Sequence, residues 1–231
     1  MFKSISLVSI ALTLLTAAQL AAQSVPAGWK QREDRSASAA DPDAAGSIKI
    51  VTAGTGFHIE TPTAAVFWNP TNIVTGNYTL KATFTQNKRS GHVNHFGFVF
   101  GGTNLDKGDQ KYTYFMVAQD NPTGMMGRAQ PLGVWLAKTR NGNTTAAAFT
   151  GLTGAGRNGA VPQSAIKVPD ANGKSVNTLE VRVQADKVDF VVNGTIVHSA
   201  PKAGLTTDGI WGIRSNHLLD INVDNLTVTK Q

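Results

Sequence analysis

The sequence predicts an all-β protein built of antiparallel sheets, as a sandwich or a barrel, and three observations carry this prediction. From residue 48 onward the apolar residues recur with a period of two, which is the period of a strand. About a dozen short segments of this kind follow at regular spacing, separated by turns rich in Gly, Asn and Pro. Between residues 48 and 231 no segment has the pattern of an amphipathic helix. Together these features favour a sandwich or a barrel of antiparallel sheets.

Two central segments alternate most clearly. NYTLKATFTQ places four apolar residues on one face and threonines with a lysine on the other, as expected of a half-buried strand. The apolar residues are Tyr78, Leu80, Ala82 and Phe84. HFGFVFGG sets three phenylalanines against glycines, which predicts that a second sheet or a ligand approaches closely there.

Further segments have the same strand-like character. Before the long loop they are SIKIVTA, GFHIET, TAAVFWNP (closed by Pro70), KYTYFMVAQ, GVWLAKTR and TTAAAFTGL. Residues 151–175 are rich in Gly, Pro and Asn and are expected to be largely loop. The closing segments are NTLEVRVQAD, KVDFVVNG, TIVHSA, DGIWGIRS and LLDINVDNLTVTK.

The hairpin ADKVDFVVNGTIVHSA, residues 185–200, is the most strongly patterned turn in the chain. Its Asn193-Gly194 dipeptide supplies the positive φ angles of a type I′ turn. Alternation then assigns three residues to the core, Val188, Phe190 and Val192, and turns Asp189 and Val191 outward.

The N-terminus predicts export. Lys3 precedes an apolar run that ends near Leu15, and small residues follow, as in a secretory signal peptide. The run is shorter than a membrane span requires, which disfavours the alternative of an uncleaved anchor helix, and no second apolar stretch is long enough to cross a bilayer. We expect residues 1–22 to be a signal peptide and residues 23–47 an irregular lead-in with Trp29 packed on the domain. Residues 48–231 would form the sandwich of a monomeric periplasmic or extracellular protein.

Composition excludes several function classes. The chain has no cysteine, which excludes disulfides, thiolate catalysis and cysteine-ligated metals. Its formal net charge is +6, but the cations are scattered, and NKR at 87–89 is the densest group. A nucleic-acid interface needs basic residues gathered on one face. We therefore expect an ordinary solvated surface and no nucleic-acid partner.

The C-terminal third resembles a known superfamily. NTLEVRVQADKVDFVVNGTIVHSA followed by GIWGIRSNHLLDINVDNLTV is similar to the end of the concanavalin A-like lectin/glucanase superfamily. The resemblance is nearest to laminin-G-like modules and to the bacterial 3-keto-disaccharide hydrolase family. It covers residues 48–230 in pattern and 177–230 in residue detail, and it implies a jelly-roll sandwich. It also implies a carbohydrate ligand; the alternatives are hydrolysis or lysis of a (3-keto-)disaccharide or other glycoside, and an adhesion or structural role.

Aromatic residues near amides and cations are the expected sugar-binding set. Sugar ring faces stack on aromatic side chains, and their hydroxyls bond to polar groups. The candidates are Tyr112, Tyr114, Arg128, Trp135, Arg214 and Asn216. For each ring alone, filling the core between the sheets is the alternative. Arg214 and Asn216 are stronger as a pair because they leave a strand for a rim loop. Trp68 and Trp211 are assigned to the core.

Catalytic residues are less evident. Glucanases of this fold place carboxylates at an E-x-D-x-x-E spacing, which is absent around Glu60 and Glu180. If the protein is an enzyme, His95 or His217 would serve as general base, although a structural role is the alternative for each. HVNH at 92–95 could also form a loop cluster of ligands. We expect no cofactor and no metal, because NLDKGD and Asp41-Pro-Asp43 are explained by turn chemistry.

Overall fold

The computed structural model describes residues 25–33, 46–90, 94–118, 133–141, 144–145, 161–162, 165–167 and 169–231. For residues 118, 133–141, 144–145 and 161–162 it describes the backbone alone. Every regular element in these ranges is a β-strand, as the sequence predicts. In the same ranges, no helix has the length and apolar character needed to cross a membrane.

The strands form two sheets, and all their pairings are antiparallel. The eight-stranded sheet runs in the order β1 (Lys30–Glu33), β4 (Ala65–Val74), β14 (Gly209–Ser215), β6 (His95–Thr103), β7 (Lys111–Ala118), β8 (Gly133–Asn141) and β10 (Val161–Pro162), with β9 (Thr144–Thr145) also paired to β8. The seven-stranded sheet runs β13 (Thr195–Pro201), β12 (Lys187–Val192), β11 (Ser175–Val183), β5 (Tyr78–Gln86), β15 (Leu219–Lys230), β3 (Gly56–Thr61) and β2 (Lys49–Ala53).

The main hydrophobic core lies between the two sheets. The four apolar residues of β5 are completely buried in it, as the alternation predicts. The three phenylalanines of β6 face them from the other sheet, and the Phe84 ring lies 5.2 Å from that of Phe98 and 5.5 Å from that of Phe96. Burial of this apolar surface is the main favourable term in folding, so the chain needs no disulfide to hold the sheets together.

A second apolar layer covers the opposite face of the eight-stranded sheet. We call it the outer cluster, and its members are Val66, Trp68, Val99, Leu105, Tyr112, Tyr114 and Met116. Trp68 is buried as expected, but in this cluster rather than in the main core. Trp211 is partly buried and packs against the main core. The outer cluster matters for function because the candidate site is built into it.

The glycines of β6 were expected to allow the close approach of a second sheet or a ligand, and the structure gives a different explanation. A Cβ atom at Gly97 would collide with the carbonyl oxygen of Phe115 and lie 2.8 Å from the Cα atom of Met116, both on the neighbouring strand. At Gly101, where φ is +60°, it would collide with the carbonyl oxygen of Thr206. The close approach therefore comes from backbone of the adjacent strand and of a loop.

A short part of the N-terminal lead-in forms a strand that the sequence does not indicate. Within the lead-in that we expected to be irregular, Lys30–Glu33 form β1 and pair with β4. Trp29 packs on the domain as expected, with its ring 4.5 Å from that of Phe57. The strand expected to close at Pro70 continues to Val74, because a shift in register against β14 accommodates the proline. The expected signal peptide lies outside the described residues.

The C-terminal hairpin has the predicted turn. The φ angles of Asn193 and Gly194 are +50° and +83°. The three residues assigned to the core are completely buried there. The other face is also covered, since Asp189 is 2% exposed. Its carboxylate accepts hydrogen bonds from Ser199 Oγ at 2.5 Å and Gln184 Nε2 at 2.7 Å, and Lys187 Nζ lies 3.0 Å away. Asp189 therefore points away from the core without reaching solvent.

Candidate functional site

Arg214 occupies the centre of the candidate site. It lies on β14, between β4 and β6, and strand alternation sends its neighbour Ile213 into the main core. The Arg214 side chain therefore lies on the outer face, beside the outer cluster. It is only 7% exposed. A buried guanidinium must be held by polar partners, because removing a charge from water is unfavourable.

Neighbouring groups from β7 and from the turn after β14 fix this guanidinium. Arg214 Nε donates to the hydroxyl of Tyr112 at 3.3 Å, and Nη1 donates to Asn216 Oδ1 at 3.0 Å. The Sδ atom of Met116 lies 3.3 Å from Nη1. The Cζ atom lies 5.2 Å from the ring centroid of Tyr114, which is a cation–π contact. The planar guanidinium is thus held in one orientation, and a lysine could not reproduce these contacts.

Asn216 connects this arginine to a histidine. Its backbone NH donates to the carbonyl oxygen of His95 at 2.8 Å. Its Nδ2 atom lies 3.2 Å from His95 Nδ1. Since Asn216 Oδ1 accepts from Arg214, Nδ2 is the amide donor, and His95 Nδ1 must be the acceptor. This arrangement predicts the tautomer of His95 that carries its proton on Nε2.

We call Arg214, Asn216, His95, Tyr112 and Tyr114 the Arg214 cluster. The structure thus brings together five of the eight residues selected from the sequence. The tyrosines do not fill the core between the sheets, which was the alternative for each, but lie on the opposite face. His95 and Tyr114 are each 6% exposed, whereas Asn216 is half-buried. The cluster therefore has a buried floor and one accessible side chain.

The other three selected residues are not placed in the cluster. His217 follows Asn216 in the turn after β14 and is 3% exposed. The backbone of Trp135 pairs with that of Met116, but its side chain lies outside the described part of the chain. Arg128 also lies outside the described residues.

A second feature, which the sequence did not indicate, is an open cleft of about 600 Å³ at one end of the seven-stranded sheet. Four short segments line it: Gly46 and Ser47, Glu60 to Pro62, Lys88 to Ser90, and Leu218 to Asp220. Two of its carboxylates belong to residues that are direct partners on β3 and β15, Glu60 and Asp220. Strand pairing alone brings them together, so no spacing along the sequence reveals the pair.

Hydrogen bonds hold the Asp220 carboxylate at the edge of this cleft. Asn87 Nδ2 donates to it at 2.8 Å, His58 Nε2 lies 2.9 Å away, and Lys88 Nζ lies 3.2 Å away. Burial alone would raise the pKa of Asp220, but these contacts outweigh it and hold the pKa below its usual range. Among the described residues, no three His, Asp or Glu side chains are arranged to hold a metal ion.

Comparison with known proteins shows the fold. No family model matches the chain, and no curated protein matches its sequence. The carbohydrate-binding module CBM66 from Bacillus subtilis is similar in structure, with a TM-score of 0.53 and 12% sequence identity over 88% of this chain and 96% of that chain. A protein of unknown function with a galectin-like fold, also from Bacillus subtilis, has a TM-score of 0.51 and 12% identity over 87% and 89%. The exoplasmic/lumenal domain of VIP36, in its Ca²⁺/Man3GlcNAc-bound form, has a TM-score of 0.50 and 10% identity over 88% and 84%.

These similarities define the class of fold. The chain is a galectin-like, concanavalin A-like jelly-roll β-sandwich, which confirms the fold predicted from its sequence. The narrower resemblance to laminin-G-like modules and to 3-keto-disaccharide hydrolases stays a prediction.

Proposed function

We propose that this protein binds a carbohydrate on the outer face of the eight-stranded sheet, at the Arg214 cluster. The observation that carries the proposal is the convergence on one face of five side chains selected from sequence, four for their sugar-binding chemistry and His95 as a possible general base. They come from β6, β7 and the end of β14, which are adjacent in the sheet. The tyrosines among them lie on the face opposite to the main core, so packing between the two sheets does not explain their positions.

The chemistry of the cluster suits a polyhydroxylated ligand. The half-buried Asn216 amide is the first group that such a ligand meets. Arg214 behind it holds Asn216 Oδ1 by a hydrogen bond, which fixes the direction of the amide. A hydroxyl group both donates and accepts, so an oriented amide can recognise it through either atom. The buried members thus act by positioning Asn216, and specificity depends on their geometry.

The structural neighbours support the same ligand class. One is named as a carbohydrate-binding module, and another was solved with Man3GlcNAc bound. Because their identities to this chain are 12% and 10%, they contribute an analogy at the level of the fold. We further propose that the protein acts outside the cytoplasm, on the strength of the signal-peptide pattern in residues 1–22.

The burial and hydrogen bonding of the two candidate histidines favour binding over catalysis. A general base must reach the proton that it removes. His95 Nδ1 accepts from Asn216, and the imidazole is 6% exposed; His217 is 3% exposed. A hydrolase acting on 3-keto-glucosides would need one of them to reach substrate. Turnover of a 3-keto-glucoside by the purified protein, lost in His95→Ala, would favour the enzyme instead.

The proposal is tested on an array of immobilised neutral and acidic oligosaccharides. We expect the wild-type protein to be retained by at least one glycan and Asn216→Ala to lose that retention. Asn172→Ala is the matched control, since Asn172 lies in an exposed turn where its backbone NH donates to Asp170 Oδ1. Equal retention of all three proteins, or no retention of the wild type by any glycan, would contradict the proposal. Capture of a calcium-dependent protein ligand instead would favour the adhesion alternative.

A further inference from the structure

The cleft at the end of the seven-stranded sheet adjoins the Arg214 cluster without sharing a residue with it, since its lining residue Thr61 donates to the carbonyl oxygen of Asn216 at 2.5 Å. Its walls come from the end of β3, the start of β15, the segment after β5 and the segment before β2. The Arg214 cluster lies on the outer face of the other sheet. At about 600 Å³, the cleft has the size of a small-molecule site.

Charges in and around the cleft almost compensate one another. Glu60 Oε1 lies 3.4 Å from Lys49 Nζ and 3.7 Å from His58 Nε2. Asp220 is held by Lys88 and His58. With Arg89 added, three permanent cations face two carboxylates. A cleft whose charges are paired within the protein favours a ligand that is polar and carries no net charge.

The polar groups of the cleft include both donors and acceptors. The carboxylates of Glu60 and Asp220 only accept hydrogen bonds, whereas the ammonium group of Lys88 only donates them. The hydroxyl group of Ser90 does both. An apolar wall lies beside these groups and is formed by Pro62, Leu218 and Leu219. A sugar ring has hydroxyls that both donate and accept, and an apolar face that can lie against such a wall.

Two residues beside the lining each have a buried polar atom without a hydrogen-bond partner among the described residues. Thr63, next to Pro62, is completely buried, and its Oγ1 atom is one of the two. The other is Oε1 of Gln86, whose Nε2 atom donates to the carbonyl oxygen of Lys88 at 2.7 Å. Buried polar atoms without a partner are rare and call for a water or a ligand. Thr63 and Gln86 thus add polar groups beside the lining residues Pro62 and Lys88.

Backbone strain occurs at the same place. Leu218 has a φ angle of +57°, in the left-handed region. The other non-glycine residues with positive φ among those described are asparagines, which tolerate this conformation. Leucine does not favour it, and such residues concentrate at functional sites. Leu218 is one of the residues that line the cleft.

We propose that this cleft is a second binding site, for a short neutral oligosaccharide. This second proposal does not rest on carbohydrate binding at the Arg214 cluster. With both sites occupied, one chain would hold two glycans, which would make it a bivalent binder.

The test is a ¹H–¹⁵N correlation titration of the protein with lactose, cellotriose, mannotriose and kestotriose, each raised to high millimolar concentration. We expect at least one probe to shift the backbone amides of Glu60, Ser90, Leu218 and Leu219. Shifts confined to Tyr112, Tyr114 and Arg214 would overturn the second site and support the first. Shifts confined to the cleft would support the second site and overturn carbohydrate binding at the Arg214 cluster. No shift in the cleft with any probe overturns this proposal.

Two variants separate binding from folding. Leu218→Asn keeps a residue that tolerates positive φ but removes the apolar wall, and Glu60→Gln keeps the shape but removes an acceptor charge. For each variant, we expect the ligand concentration at the midpoint of the cleft titration to rise about tenfold and the melting temperature to stay unchanged. Asp106→Asn is the matched control, as its carboxylate is also paired with a lysine, Lys30, but lies outside the cleft. Unchanged midpoints in both cleft variants would overturn the proposal.

Discussion

Asn216 contacts His95 through both its backbone and its side chain. The backbone NH donates to the His95 carbonyl oxygen at 2.8 Å, and Nδ2 lies 3.2 Å from the imidazole Nδ1. The first contact continues the pairing of β14 with β6 past the end of β14. The second connects the imidazole, through the amide, to Arg214. Two residues that are 121 positions apart in sequence thus form one unit of the site.

This relationship predicts the tautomer of His95. If Asn216 donates to Nδ1, the imidazole near neutral pH carries its proton on Nε2. The ¹⁵N chemical shifts of the ring distinguish the two tautomers directly. We expect an unprotonated Nδ1 in the wild type and a larger fraction of protonated Nδ1 in Asn216→Asp, because the carboxylate can only accept. A wild-type spectrum with protonated Nδ1 would contradict the hydrogen-bond assignment.

The second prediction concerns Asn193 in the C-terminal hairpin. Its Nδ2 atom donates to Ala165 O at 2.7 Å and to Asn177 Oδ1 at 2.8 Å, and its Oδ1 accepts from Thr178 N at 2.9 Å. Asn193→Ala removes these bonds and also places alanine at a φ of +50°. We expect a loss of about 2–4 kcal/mol in the free energy of unfolding, measured by urea denaturation.

A glycine control separates the two causes. Asn193→Gly tolerates the positive φ but still lacks the side chain, so it should recover only the part of the loss due to backbone strain. If Asn193→Gly were as stable as the wild type, the side-chain bonds would contribute nothing and the turn geometry alone would matter.

The third prediction concerns acid stability. Burial would raise the pKa of Asp189, but hydrogen bonds from Ser199 and Lys187 outweigh it and hold the pKa below its ordinary value. The pKa values of Glu180 and Asp220 are lowered in the same manner. A lowered pKa in the folded state means that the unfolded chain binds more protons as the pH falls.

The stabilisation by these carboxylates is therefore complete above the unfolded-state pKa values, about 4, and is lost as the pH falls through the folded-state values. We expect a melting temperature that is nearly flat from about pH 7 to about pH 5 and falls steeply below about pH 4. Asp189→Asn should be less stable at neutral pH and lose less stability on acidification. An acid-dependent loss as large as that of the wild type would contradict this role for Asp189.

The fourth prediction tests the close packing of β6 against β7. Gly97→Ala would bring Cβ into the backbone of Phe115 and Met116, which cannot move without disturbing the sheet. We expect a loss of about 1–3 kcal/mol in the free energy of unfolding. Gly108→Ala is the control, because nothing lies within 4 Å of a Cβ atom there. Equal stability of the two variants would show that the backbones of β6 and β7 do not approach this closely at Gly97.

Most of the fold followed from local sequence patterns. Alternation in NYTLKATFTQ and HFGFVFGG identified the core faces of β5 and β6, because only one face of each strand packs between the sheets. The Asn193-Gly194 turn was also predictable, since few residues adopt two successive positive φ angles. β1 was not predictable, because KQRE has no apolar alternation and becomes a strand only by pairing with β4.

The candidate site was predictable only in part, because the sequence shows where a strand ends but not always which face a side chain takes. Arg214 and Asn216 stood out because they close a strand, but the sequence could not show that Tyr114 lies on the outer face, since both faces of β7 are apolar. The cleft was not predictable at all. Glu60 and Asp220 are neighbours only through the pairing of β3 with β15, and Lys88 joins them from a third segment.

The most direct test of the central claim measures glycan affinity and stability together. Wild type, Asn216→Ala and Tyr112→Phe are compared by titration calorimetry with the glycan that retains the wild type most strongly on the array, and by thermal unfolding. Tyr112→Phe removes the hydroxyl that accepts from Arg214 Nε and keeps the ring. We expect folded variants whose affinity is reduced about tenfold or more. Affinities equal to that of the wild type in both folded variants would contradict carbohydrate binding at the Arg214 cluster.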